Sequence, residues 1–174
     1  MALYGGYFQA QPGVYFDENF TITAWVKLRS YRNYQRLIDF GNGPASNNVV
    51  CMIDGANNCG KPAILIYNGK HGKSIESLTG LHLGEWNHLV CMFRNGIGYI
   101  YINGTNTALG PINKPIPIIR MNNYVGRSNW KVQNQNNHLY ELDTNADIDD
   151  LKIFNRALSE DEIKADMDNT FFLP

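Results

Sequence analysis

The stretch LHLGEWNHLVCMFRNGIGYIYINGT, residues 81–105, decides the fold. Two apolar runs, residues 87–93 and 98–103, flank Arg94-Asn95-Gly96. Asn-Gly between such runs is the strongest short-range hairpin signal, because both central positions of a type I′ turn need positive φ. In the first run Leu89, Cys91 and Phe93 share one face while His88, Val90 and Met92 share the other. In the second, Ile100 and Ile102 oppose Tyr99 and Tyr101. Neither run has a fully polar face, so the hairpin is expected in the middle of a sandwich with both sides covered. Asn103-Gly104 supplies a further turn.

Working outward, residues 20–28 alternate cleanly: Phe20, Ile22, Ala24, Val26 and Leu28 against Thr21, Thr23, Trp25 and Lys27. Shorter strands are expected at 37–40, 49–53, 63–67, 121–125 and 149–154, with Gly, Asn and Pro between them. Tyr7-Phe8 and Val14–Phe16 around Gln11-Pro12-Gly13 predict a first short hairpin. Residues 29–36 read as a loop, and Pro111, Pro115 and Pro117 predict an extended or edge connection. Ser159-Glu-Asp-Glu162 is a capping box that starts a short helix over 160–167. Phe171-Phe172-Leu173 is expected to close the sheet beside the N-terminal strand. About ten short strands with turn residues between them predict an all-β antiparallel sandwich.

The motif Gly84-x-Trp86-Asn87-His88-Leu89-Val90, followed by Tyr101-Ile102-Asn103-Gly104, resembles the core of laminin-G-like domains. These belong to the concanavalin A-like (pentraxin-like) jelly rolls. Residues 20–28 and 148–159 resemble the same family in register, so the resemblance spans nearly the whole chain. It implies a single jelly-roll β-sandwich over residues 1–174, a domain of a larger extracellular or cell-surface protein. It also places Trp25 and Trp86 at family core positions, where packing in the core is their expected role.

Composition narrows the function classes. With 174 residues and 44% hydrophobic content the chain can bury a real core. A net charge of −1, from 15 basic and 16 acidic residues, gives no basic stripe for nucleic acid or an anionic membrane. No apolar run approaches the roughly 20 residues of a membrane span. The opening Met-Ala-Leu-Tyr-Gly-Gly carries no charged n-region and no apolar h-region of a signal peptide. Cys51 and Cys59 flank a hairpin tip that either a disulfide or two separate thiols would suit, since spacing alone does not fix their separation; Cys91 reads as a small buried hydrophobe.

Three chemistries compete for the site. Glu141, Asp143, Asp147, Asp149 and Asp150 form a dense acidic run, and hard oxygen ligands are what calcium uses. Asp143-x-Asn145-x-Asp147 begins like an EF-hand loop but fails at Ile148 and Phe154. Many laminin-G-like and pentraxin-like domains bind calcium at a sandwich rim, so the resemblance points to Asp143, Asp147, Asp149 and Asp150 as ligands to Ca²⁺. Some concanavalin A-like folds are glycoside hydrolases with a Glu-x-Asp-x-(x)-Glu strand; here Glu141-Leu-Asp143 keeps two carboxylates and loses the third, so no matched acid–nucleophile pair remains. The aromatic residues favour binding. Sugars offer apolar C–H faces to rings, and hydroxyl groups to Asn and Arg. Trp130 stands in a polar, Asn-rich loop at 128–137, flanked by Tyr124, Arg127 and Asn129, and Tyr31 and Tyr34 share a loop with arginines. The expected function is non-catalytic carbohydrate recognition assisted by calcium, with a protein-adhesion module of a surface or matrix protein as the rival.

Overall fold

The computed structural model describes residues 2–131 and 141–168. Twelve strands and one helix are formed among them: β1 Ala2–Tyr4, β2 Phe8–Ala10, β3 Phe20–Leu28, β4 Gln35–Gly41, β5 Val49–Asp54, β6 Ala63–Asn68, β7 His71–Glu76, β8 Trp86–Arg94, β9 Ile97–Ile102, β10 Thr105–Pro111, β11 Asn122–Val125, β12 Asn145–Phe154 and α1 Glu160–Met167. They make two six-stranded antiparallel sheets. The first runs β1-β12-β3-β8-β9-β10 and the second β2-β11-β4-β5-β6-β7. This is the expected jelly-roll sandwich. The Phe171–Leu173 segment and residues 132–137 of the Asn-rich loop lie outside the described residues.

The β8–β9 hairpin closes with Arg94 opposite Ile97, and Asn95 and Gly96 take φ of 50° and 83°, as a type I′ turn requires. Its two faces are covered by different layers. Leu89, Cys91, Phe93, Ile100 and Ile102 join Phe20, Ile22, Val26, Ile38, Ile53 and Ile64 in the core between the sheets. The opposite face carries Val90, Met92 and Tyr101, and Leu158 just before α1 and Ile163 within it pack over them. Ser159 caps this helix, accepting from the Glu162 amide, while the Glu162 carboxylate accepts from the Ser159 amide. Inside the sheet-helix layer His88 Nε2 meets Asp166 Oδ2 at 3.1 Å, and Lys152 Nζ reaches Asp166 Oδ1 at 2.9 Å. Burial works to raise the Asp166 pKa, but the donors His88, Lys152 and Thr23 win and hold it at about 2.

Two local expectations, the strand at 14–16 and the strand count at the sheet edges, are corrected, and the choice left open at Cys51 and Cys59 falls to separate thiols. Residues 14–16 form no strand; Phe16 is buried in the core, and Gly13 only bridges Arg120. Cys51 and Cys59 are free thiols. The Asp54 carboxylate closes that loop instead, accepting from the amides of Arg32, Cys59 and Gly60. Cys51 points into the core beside Cys91 of the facing sheet, and burial pushes its thiol well above the usual range. Two further strands, β7 and β10, extend the sheet edges.

Candidate functional site

The residues singled out in the sequence gather mostly on the outer face of the second sheet. There Val50, Met52 and Ala63 form a small apolar bed, and the ring of Trp130 packs on it with Leu65. Trp130 therefore has an apolar seat, contrary to the reading of its loop as wholly polar. Tyr67, the outward residue that alternates with Ala63 and Leu65 on β6, meets Trp130 at 5.7 Å between ring centroids and 45°. Arg36 lies beneath with 3% exposure, its guanidinium 5.7 Å from the Tyr34 ring and 5.8 Å from the Trp130 ring. Glu141 neutralises it through a 2.9 Å bond from Nη2 to Oε2.

The loop that carries Trp130 is held from below by a buried carboxylate. Asp39 accepts from the Asn129 amide, the Asn129 side chain and the Asn48 side chain, each at 2.8 Å. Burial raises the Asp39 pKa, while Arg36 and these donors oppose that shift. Asn129 is thus spent on the fold rather than turned to solvent. Arg127 holds Asp143 with two 3.0 Å bonds and lies over the Tyr7 ring, and Tyr7 meets Tyr124 edge-on at 5.6 Å. Tyr31 stands apart from this group: its hydroxyl donates to the Leu81 carbonyl, and its ring fills the space that a side chain at Gly60 would need. Tyr67 is the member that sequence reasoning did not single out for the site, although its strand alternation with Ala63 and Leu65 signalled it; Glu141 was read only with the acidic run, and Arg36 only as one of the arginines near Tyr34.

On the opposite outer face, that of the first sheet, Trp25 and Trp86 are not core residues. Trp25 is half-buried and Trp86 is 45% exposed, and together with Asp149 and Asp150 they line a shallow recess of about 320 Å³. The alternation in β3 already placed Trp25 opposite Ile22, Ala24 and Val26.

The acidic run does not converge. Asp143 is paired with Arg127 and Lys131, Asp147 with Arg29, and Glu141 with Arg36. Burial works to raise the Asp143 pKa, but the hydrogen bonds and charges of Arg127 and Lys131 hold it below the usual range. Asp149 and Asp150 stand on the other sheet face. Among the described residues, no group of three or more His, Cys, Asp or Glu side chains is placed to hold a metal ion. The four expected calcium ligands therefore do not form one coordination shell. No helix among the described residues is long and apolar enough to cross a membrane.

Comparison with known proteins fixes the family. Domain 4 of a GH43 extracellular arabinanase from Geobacillus stearothermophilus, in complex with arabinotriose, superposes with a TM-score of 0.75 at 17% identity, over 94% of this chain and 73% of that one. The CBM40 of the Ruminococcus gnavus IT-sialidase, bound to α2,3 sialyllactose, gives 0.70 at 17% identity, over 91% and 95%. A heptameric SAP-like pentraxin from Limulus polyphemus gives 0.61 at 15%, over 91% and 72%. At these identities the likeness is one of fold. No curated protein matches the sequence. The laminin G family described as the concanavalin A-like lectin/glucanases superfamily matches residues 4–164, and the chain belongs to it.

Proposed function

We propose that this chain is a non-catalytic carbohydrate-recognition module whose binding face is the outer surface of the second sheet. One observation carries the reading: folding brings Tyr34 and Trp130, from two separate segments, against the guanidinium of Arg36, and Tyr67 from a third against the Trp130 ring. Ring faces beside fixed polar groups suit a ligand that offers C–H faces and hydroxyl groups. Two solved structures of this fold hold bound sugars, arabinotriose and α2,3 sialyllactose, which supports the reading. A catalytic role is not proposed, because Glu141 and Asp143 are each held in an ion pair with arginine. The proposal needs no calcium. It places the domain in an extracellular or surface protein, as one module among others. A protein-adhesion role is the second reading, favoured by Phe8, Ile119 and Met121, all more than half exposed near the β2–β11 edge.

A glycan array run with calcium and again with chelator tests the proposal. A selective hit that survives chelation is expected. Trp130→Leu, which keeps an apolar group on the bed of Val50 and Met52 but removes the aromatic face, should weaken that hit by about tenfold, the loss of one ring contact. Trp86→Ala, on the opposite face, should leave it unchanged. A hit that follows Trp86 instead would overturn the placement, and a blank array would move the assignment to a protein partner.

A further inference from the structure

The recess on the first sheet owes its chemistry to a single irregularity. Along β12, Ala146 and Ile148 face the core, and so do Leu151 and Ile153. That pattern skips a beat at Asp149-Asp150. Asp149 stands opposite Trp25 and Lys152 opposite Thr23, so three steps on β12 match two on β3. The extra residue is a β-bulge, and Asp150 takes φ of 49° within it. A regular strand would send one of two consecutive carboxylates into the core. Here both turn outward and line the recess with Trp25 and Trp86.

Trp25 sits between Asp149 on one neighbour and His88 on the other. Trp86 lies diagonally from it on β8, opposite Lys27, within the reach that aromatic side chains have across a strand pair. Of the surrounding cations, Arg29 is paired with Asp147 and Lys152 with Asp166, while Lys27 stands beside the recess opposite Trp86. Among the described residues, neither Asp149 nor Asp150 has an ion-pair partner, whereas Asp147 has one and Asp143 and Asp166 have two each. Two indole rings and two carboxylates without ion-pair partners, lining one open recess, are complementary to a positive charge with apolar flanks.

We infer that this recess is a second binding site, for a ligand headed by an ammonium group. The carboxylates supply charge, and the indole faces supply the cation–π attraction that hydroxyl groups alone do not use. This inference does not rest on the sugar-binding reading, because the two sites occupy opposite outer faces and share no residue.

The test is tryptophan fluorescence and calorimetric titration with four probes: tetramethylammonium, glucosamine, glucose and N-acetylglucosamine, at a pH where glucosamine is protonated. Tetramethylammonium reads the cage alone, and glucosamine reads an amine carried on a pyranose. Saturable binding of at least one cation, at least tenfold tighter than that of the two neutral sugars, is expected. The double variant Asp149→Asn, Asp150→Asn should lose about tenfold of it, and asparagine tolerates the positive φ at position 150, so the bulge is kept. Trp86→Ala should weaken binding of the same probes, while Trp130→Leu should not, and added salt should weaken it. Equal binding of neutral and charged sugars, no saturation with either cation, or binding indifferent to both aspartates would overturn the inference.

Discussion

The two outer faces of the sandwich carry the same kinds of residue and use them differently. On the second sheet, arginines, aspartates and aromatic rings are paired with one another: Arg36 with Glu141, Arg127 with Asp143, and Asp39 with Asn48 and Asn129 beneath the Trp130 loop. On the first sheet, Trp25, Trp86, Asp149 and Asp150 face solvent without charged partners among the described residues. The difference teaches that an aromatic or acidic residue signals a ligand only when the fold has not already used it. It also sorts the two faces by stability, since paired buried charges support the structure and unpaired exposed ones do not.

The sharpest way to break the contrast is at Asp39. Removing a buried carboxylate strands its donors, at about 3–5 kcal/mol by analogy with other broken buried pairs. Asp39→Ala should therefore lose that much stability in urea unfolding, whereas Asp149→Asn should stay within about 0.5 kcal/mol of the parent, as exposed substitutions do. Comparable losses at both positions would erase the distinction. The rings should follow with a smaller split. Trp130→Ala opens a gap over Val50 and Met52 and should cost about 2–3 kcal/mol, below the value for a fully buried tryptophan. Trp86→Ala, at 45% exposure, should change the unfolding midpoint little.

Much of this was legible in the sequence, for identifiable reasons. Asn95-Gly96 fixed the central turn because few other pairs accept two positive φ values, and Ser159 with Glu162 fixed the helix start. Strands β7 and β10 were missed because HGKSIE and TNTALGP have mostly exposed side chains, with Ile75 and Ala108 packed against the core, so no clear alternation betrays them. The first half of β12 was hidden inside the acidic run, although Ala146 and Ile148 keep the alternation. Trp25 was legible in its own strand, where the period of two put it off the core face; the family position misdirected the reading. Arg36 was legible as a neighbour of Tyr34 but not as a buried residue. Its burial depends on Glu141, 105 residues away, and on Trp130, and no local pattern joins them.

The helix layer gives a third, intermediate test. Asp166 ties α1 to His88 and Lys152, so Asp166→Asn should weaken the protein by about 1.5 kcal/mol, the value of a charged hydrogen bond. Its carboxyl is held at about 2 in the folded chain, below the unfolded value near 4. The stabilisation is therefore complete above about pH 4 and fades as pH falls toward 2, because the unfolded chain takes up the proton first. In the variant that share of the acid dependence should vanish. Asp143, also held low, should keep supplying its own part from the second-sheet face.

The smallest expected effect is that of calcium, and it bears on the contrast directly. A cation that bound the acidic run would stabilise the native state by mass action and raise the melting temperature. To do so it would have to displace Arg29 from Asp147 and both Arg127 and Lys131 from Asp143, or settle for Asp149 and Asp150 alone. Two carboxylates fall well short of the six to eight oxygens that calcium takes. Millimolar calcium should thus leave the melting temperature of the parent chain unchanged. A rise abolished by Asp149→Asn would show that the recess accepts a metal as its cation. A rise abolished by Asp143→Asn would mean that the second-sheet face opens its ion pairs to bind one, and the two faces would then differ less than their pairing indicates.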